Sequence, residues 1–91
     1  MDGLGHALYG ELTFENGSVK QKNFNAYKIM RINDAPEIDV QFIESTEFPQ
    51  GLGEPGLPPI GAALSNAIFA ATGKRLRRQP FAAAIKELDQ I

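Results

Sequence analysis

The apolar positions of this chain change period several times, and each change marks an element. After Leu8, the residues Leu12 and Phe14 fall on one side of an extended segment and Glu11, Thr13 and Glu15 on the other. That is the two-residue period of a strand. Asn16-Gly17 follows at once. Both central residues of a type I′ turn need positive φ, so the pair predicts a hairpin returning over Ser18 to Lys22. Between Asn23 and Pro36 the pattern is mixed and ends in the turn cluster Asn33-Asp34-Ala35-Pro36, which predicts irregular extended chain. From Glu37 the alternation resumes, with Ile38, Val40 and Phe42 against Asp39, Gln41 and Glu44. This predicts a half-buried strand that pairs with the hairpin.

Residues 46–59 hold Pro49, Pro55, Pro58 and Pro59 together with Gly51, Gly53 and Gly56, a composition that forbids a regular element and predicts a long shaped loop. Pro58-Pro59 then opens a helix, because proline is tolerated in a first turn. Ile60, Ala63, Leu64, Ala67, Ile68 and Ala71 follow at helical spacing. Gly73 is the expected left-handed stop, with Lys74 and Arg75 suited to the carbonyl end of the dipole. Leu76 to Gln79 is expected to be extended, and Pro80 to start a second amphipathic helix with Phe81, Ile85, Leu88 and Ile91 on one side. Met1 to Tyr9 reads as the last turns of an apolar helix whose beginning has been removed, as at a boundary cut through a longer chain. The fold class expected is α+β: one domain over residues 1–91, with a small antiparallel sheet (the hairpin plus one further strand) packed on a main helix from about Pro59 to Thr72, and a short C-terminal helix.

Size sharpens this picture. A chain of 91 residues and 9.9 kDa with no cysteine has room for one small core and no disulfide to compensate. It is expected to bury only about 60–65% of its unfolded surface and to be marginally stable. Nine basic against eleven acidic residues give a net charge of -2, which argues against a non-specific nucleic-acid or anionic-membrane surface. No apolar run approaches a membrane span, and Met1 is followed by Asp2 and Gly3 instead of the basic start of a signal peptide. A soluble protein is expected; zero cysteine leaves the compartment open between cytoplasm and periplasm.

Few residues carry candidate chemistry. Gly51-Leu52-Gly53-Glu54-Pro55-Gly56 matches the G-x-G-x-x-G string between a strand and a helix. A phosphate cradle, however, would not place a carboxylate and prolines at the helix entrance, and no second parallel strand follows. Glu54 itself is held between glycine and proline just before a helix N-terminus. A rigidly presented carboxylate is what a general base requires, although an ordinary exposed loop glutamate fits the same residues. His6, the one histidine, has no ligand partner at metal spacing and reads as a helix or surface residue. Lys74-Arg75-Leu76-Arg77-Arg78 reads as basic chain after a helix end, with a docking or intersubunit role equally open. Asn16-Gly17-Ser18 is formally a glycosylation sequon, but the hairpin explains it more simply. With no cysteine and no motif around the histidine or the serines, a nucleophilic triad is excluded.

Six motifs in order carry a resemblance: Ala7 to Phe14, Asn16-Gly17, Asn23-Phe24 with Tyr27 and Arg31, Ala35 to Ile38, Gly51 to Ile60, and Asn66 to Arg78. Over about residues 3–80 the chain resembles the C-terminal end of the molybdopterin-binding large subunit of the xanthine dehydrogenase and aldehyde oxidase family. The nearest branch is the isoquinoline 1-oxidoreductase beta subunit and its bacterial aldehyde dehydrogenase relatives. The resemblance implies that Glu54 is the active-site general base, taking a proton from the water-derived hydroxyl that attacks an N-heterocycle or aldehyde. It implies a molybdenum-pterin dinucleotide cofactor in the parent enzyme, with Gly51, Gly53 and Gly56 letting the loop approach it closely.

The parts that hold the cofactor and shape the substrate pocket lie mostly upstream in that family. No cofactor or metal is therefore expected on this chain alone, and the isolated chain is expected to be inactive. The implied partners are the remainder of the large subunit and an iron–sulfur subunit, whose clusters a cysteine-free chain does not carry. Nucleic acid is not expected, whereas self-association through exposed apolar surface is. Phe48 and Leu52 are candidate pocket walls without a motif to fix them. Two rivals stand beside this reading: a non-catalytic interaction module using its apolar helix face or basic tail, and a naturally split enzyme.

Overall fold

The computed structural model describes residues 1–88. In chain order it contains helix α1 (Asp2–Tyr9), strands β1 (Phe14–Glu15) and β2 (Ser18–Val19), a 3₁₀ turn (Ile32–Asp34), helix α2 (Ile60–Thr72) and helix α3 (Ala82–Leu88). Three helices and a two-stranded antiparallel sheet make a small α+β fold. Among the described residues no helix is long and apolar enough to cross a membrane.

The hairpin forms where Asn-Gly puts it. Phe14 pairs with Val19 and Glu15 with Ser18, and the turn residues sit at φ 51° for Asn16 and 79° for Gly17, as a type I′ turn demands. It is shorter than expected because a side chain takes over the ladder. After Lys20 N–H donates to the Thr13 carbonyl at 2.8 Å, the Gln21 amide accepts from Thr13 N–H at 2.8 Å and donates to Thr13 Oγ1 at 2.9 Å.

The further strand expected from Ile38 to Phe42 is absent. Residues 35–45 form no ladder, and Ile38, Val40 and Phe42 are all exposed. Alternation gives a segment two faces but does not supply the neighbouring edge that its N–H and C=O groups need; the two-rung hairpin does not reach it.

Helix α2 obeys its sequence signals at both ends. Pro59 caps it in the right-handed region, and Ala63 N–H donates to the Pro59 carbonyl at 3.0 Å. Gly73 closes it at φ 75°, with its N–H on the Phe69 carbonyl at 2.7 Å. Thr72 Oγ1 donates back to the Ile68 carbonyl, and Arg75 reaches back to Asn66 Oδ1 at 2.6 Å while lying 4.2 Å from the Phe69 ring centroid. Arg75 thus folds back along α2 and bonds a side chain, not the terminal carbonyls expected for Lys74 and Arg75.

What α2 packs against differs from expectation. Its main partner is α1 and not the sheet. A Cβ added at Gly3 would stand 2.9 Å from Ile60 Cγ2 and 3.2 Å from Leu57 Cδ1, so the two helices meet at their N-terminal turns only because residue 3 has no side chain. The segment after α2 closes the other side. The buried Ser65 hydroxyl donates to the Leu76 carbonyl at 2.7 Å, and Gln79 lies where a side chain on Gly61 would go. Phe81, 3% exposed, then ties α3 to α1 by donating its N–H to the Ala7 carbonyl at 3.0 Å; Ala7 is 2% exposed. Phe81 leads α3 as expected, and Leu88 ends it; Ile91 lies outside the described residues.

This core is small for the chain. The surface is 8044 Å², against about 5200 Å² for a folded monomer of this mass. The radius of gyration is 16.3 Å, against about 12 Å for a compact domain of this length. The extended chain between the hairpin and α2 contributes to the excess, with Phe42, Ile43 and Phe48 each at least 80% exposed.

Candidate active site

The loop between residues 46 and 59 presents its glutamate through a proline-directed turn. Leu57 N–H donates to the Glu54 carbonyl at 3.0 Å, closing a four-residue turn with Pro55 at its second position, where proline's fixed φ suits the turn. Pro58 and Pro59 then lead without slack into α2. Glu54 is exposed, and its carboxylate has no hydrogen-bond partner among the described residues.

Tertiary packing brings a distant segment to this turn. Glu54, Gly53, Gly56, Leu57 and Ile60 form one wall of a cleft of about 470 Å³, and Met1 to Leu4 of the α1 terminus form the other. On the far side of the turn a second depression of about 400 Å³ is lined by Gly51, Gly53, Glu54, Pro55 and Pro58. The structure therefore gathers Glu54 with all three glycines singled out in the sequence. Phe48 and Leu52, though exposed, line neither hollow. The contribution of Asp2 and Leu4 to the cleft has no sequence signal, since fifty residues separate them from Glu54.

The three loop glycines differ from the rest. Gly17 and Gly73 are needed for positive φ, and Gly3, Gly5 and Gly61 for close packing inside the chain. Gly51, Gly53 and Gly56 have no positive φ, and a Cβ on any of them would meet nothing within 4 Å. Nothing among the described residues requires them to be glycine.

Elsewhere, His6 Nδ1 is hydrogen-bonded to the Tyr27 hydroxyl at 3.1 Å, and Lys28 Nζ lies 4.2 Å from the Tyr9 ring centroid. A smaller cavity of about 170 Å³ is lined by Asp2, Gly5, His6, Tyr27, Lys28 and Met30, among others. No group of three or more His, Cys, Asp or Glu able to hold a metal ion occurs among the described residues. Among the described residues the Glu54 carboxylate is exposed and has no further metal donors grouped with it.

Comparison with known proteins finds relatives over most of this chain. The chain is 47% identical over 78 residues to a membrane-bound aldehyde dehydrogenase [pyrroloquinoline-quinone] of Gluconacetobacter polyoxogenes, covering 86% of this chain. It is 32% identical over 88 residues to the isoquinoline 1-oxidoreductase subunit beta of Brevundimonas diminuta, covering 97%. To a xanthine dehydrogenase molybdenum-binding subunit of Escherichia coli O157:H7 it is 35% identical over 86 residues, covering 86%. Over most of its length the chain is homologous to the molybdenum-binding subunits of the xanthine dehydrogenase and aldehyde oxidase family.

It spans about a tenth of the length of these relatives: 10%, 11% and 11% respectively. Members of the xanthine dehydrogenase and aldehyde oxidase family are molybdenum-dependent oxidoreductases. No family model matches the sequence, and no solved structure matches the fold.

Proposed function

We propose that this chain is the C-terminal part of the large subunit of a molybdenum hydroxylase, and that Glu54 is its general base. The observation that carries the reading is the loop itself. A carboxylate without a local partner stands on a Pro-Gly turn, flanked by three glycines whose missing side chains serve nothing within the chain. Bare backbone beside an outward-facing acid fits a bulky group approaching from outside, and relatives named as molybdenum-binding subunits support a molybdenum cofactor as that group. The excess surface supports the same reading, because a chain that leaves this much apolar area uncovered fits a part of a larger body.

Within that body the molybdenum cofactor, in its pterin dinucleotide form, supplies the electron acceptor and an activated water-derived oxygen. The work of this chain is narrower. Glu54 accepts a proton during oxygen transfer to an N-heterocycle or aldehyde, and the turn from Glu54 to Leu57 fixes where that carboxylate stands. Gly51, Gly53 and Gly56 keep the approach clear, and α1 forms the opposite wall. An iron–sulfur subunit would accept electrons from the reduced cofactor, and the chain by itself would be inactive.

A positioned general base contributes about 10²–10⁴ in rate. Glu54→Gln in the intact parent subunit is therefore expected to lower kcat at least about 100-fold while molybdenum content stays at the wild-type level. Near-normal turnover would refute the assignment. The quinone in the name of the 47% identical relative favours a second cofactor reading; a purified parent enzyme containing stoichiometric quinone and no molybdenum would decide for it.

A further inference from the structure

We infer that residues 37–43 are a docking strand, which adds to an open sheet edge in the remainder of the large subunit through side chains that are neutral or basic. The inference rests on the proposed membership of a larger subunit and goes beyond it by naming the segment, the mode and the charge of the surface that receives it. The segment Glu37-Ile38-Asp39-Val40-Gln41-Phe42-Ile43 has strand periodicity and β-branched content. It is not paired, however, and Ile38, Val40, Phe42 and Ile43 are all more than half exposed. No backbone N–H or C=O from Pro36 to Glu44 makes a hydrogen bond among the described residues. Apolar side chains and a row of free backbone groups together are what strand addition uses: the backbone supplies affinity, and the alternate side chains supply register. The relatives extend about ninefold beyond the part matched here, so the chain that would provide the edge is substantial.

Charge disfavours a second copy. Between Ile32 and Gly73 the chain has six carboxylates (Asp34, Glu37, Asp39, Glu44, Glu47 and Glu54) and no lysine or arginine. In-register parallel pairing of two copies stacks Glu37 on Glu37 and Asp39 on Asp39, antiparallel pairing about the Val40–Gln41 midpoint sets Glu37 opposite Glu44, and in every register both copies bring only negative charge to the ladder. Like charges directly opposite each other destabilise a ladder. An edge bearing neutral or basic residues removes that repulsion.

Hydrogen–deuterium exchange with mass spectrometry, run on the 91-residue chain and on the intact large subunit, tests this. Amides 38–43 are expected to exchange at unprotected rates in the chain alone and at least about 100-fold more slowly in the intact subunit. Val40→Pro, which removes a central donor, is expected to leave the helical circular dichroism of the 91-residue chain unchanged and to abolish that protection in the subunit. Fast exchange of 38–43 in an intact subunit that binds molybdenum and turns over would overturn the docking strand while leaving the proposed function standing. Protection in a subunit whose Glu54→Gln variant keeps full activity would uphold the strand and remove the catalytic role. Concentration-dependent protection in the 91-residue chain alone would assign the surface to a second copy, and the proposal would fall.

Discussion

Phe81→Ala tests whether the small core is real. Among the described residues Phe81 is the one large side chain almost wholly buried, at 3% exposure, and its backbone holds both Ala7 of α1, through its N–H, and Ile85 of α3, through its carbonyl. Truncating a buried phenylalanine costs about 3–5 kcal/mol, from lost transfer energy and the cavity left behind. A well-packed chain of this length would have about 5–14 kcal/mol to lose. This one exposes about 2800 Å² more than such a chain, which puts it at or below the bottom of that range. The variant is therefore left with little or no margin. At about 4–8 °C per kcal/mol for a domain of this size, its thermal midpoint, followed by circular dichroism at 222 nm on the isolated chain, is expected to fall by at least about 12 °C or to vanish. A shift below about 4 °C would mean that α1 and α3 are not held together through Phe81.

The glycines separate structural from functional roles. Gly73→Ala forces an L side chain to φ 75° at the end of α2 and is expected to cost about 1–2 kcal/mol, read as a lower urea midpoint at unchanged slope. Gly3→Ala places a methyl group 2.9 Å from Ile60 Cγ2, and overpacking of this kind costs about 1–3 kcal/mol; equal stability to the parent chain in urea would show that the α1–α2 contact is not formed. Gly53→Ala meets nothing within 4 Å and is expected to change stability by less than about 0.5 kcal/mol. In the intact enzyme it is nonetheless expected to lower kcat/KM, and unchanged kinetics would remove its role in approach.

Local signals settled much of this protein before any packing was considered. Asn16-Gly17 specified a hairpin because so few residues accept two consecutive positive φ values. Pro58-Pro59 and Gly73 bounded α2 because one supplies a ready first-turn φ and the other a left-handed stop. Glu54 was legible as a presented carboxylate because glycine and proline on either side restrict where it can stand. These are properties of a residue and its immediate neighbours, and they survive any tertiary context.

The tertiary structure decided what lies across from what. The alternation of Ile38, Val40 and Phe42 is the same whether or not a partner edge is present, and here none of the described chain reaches it. That α2 is covered by α1 and not by the hairpin depends on Gly3 admitting Ile60 and Leu57 at close range. The second wall of the Glu54 cleft comes from the first four residues, because the α1 and α2 termini meet there. Contacts between residues fifty positions apart are set by shape and volume after the elements exist, and a linear pattern has no term for them.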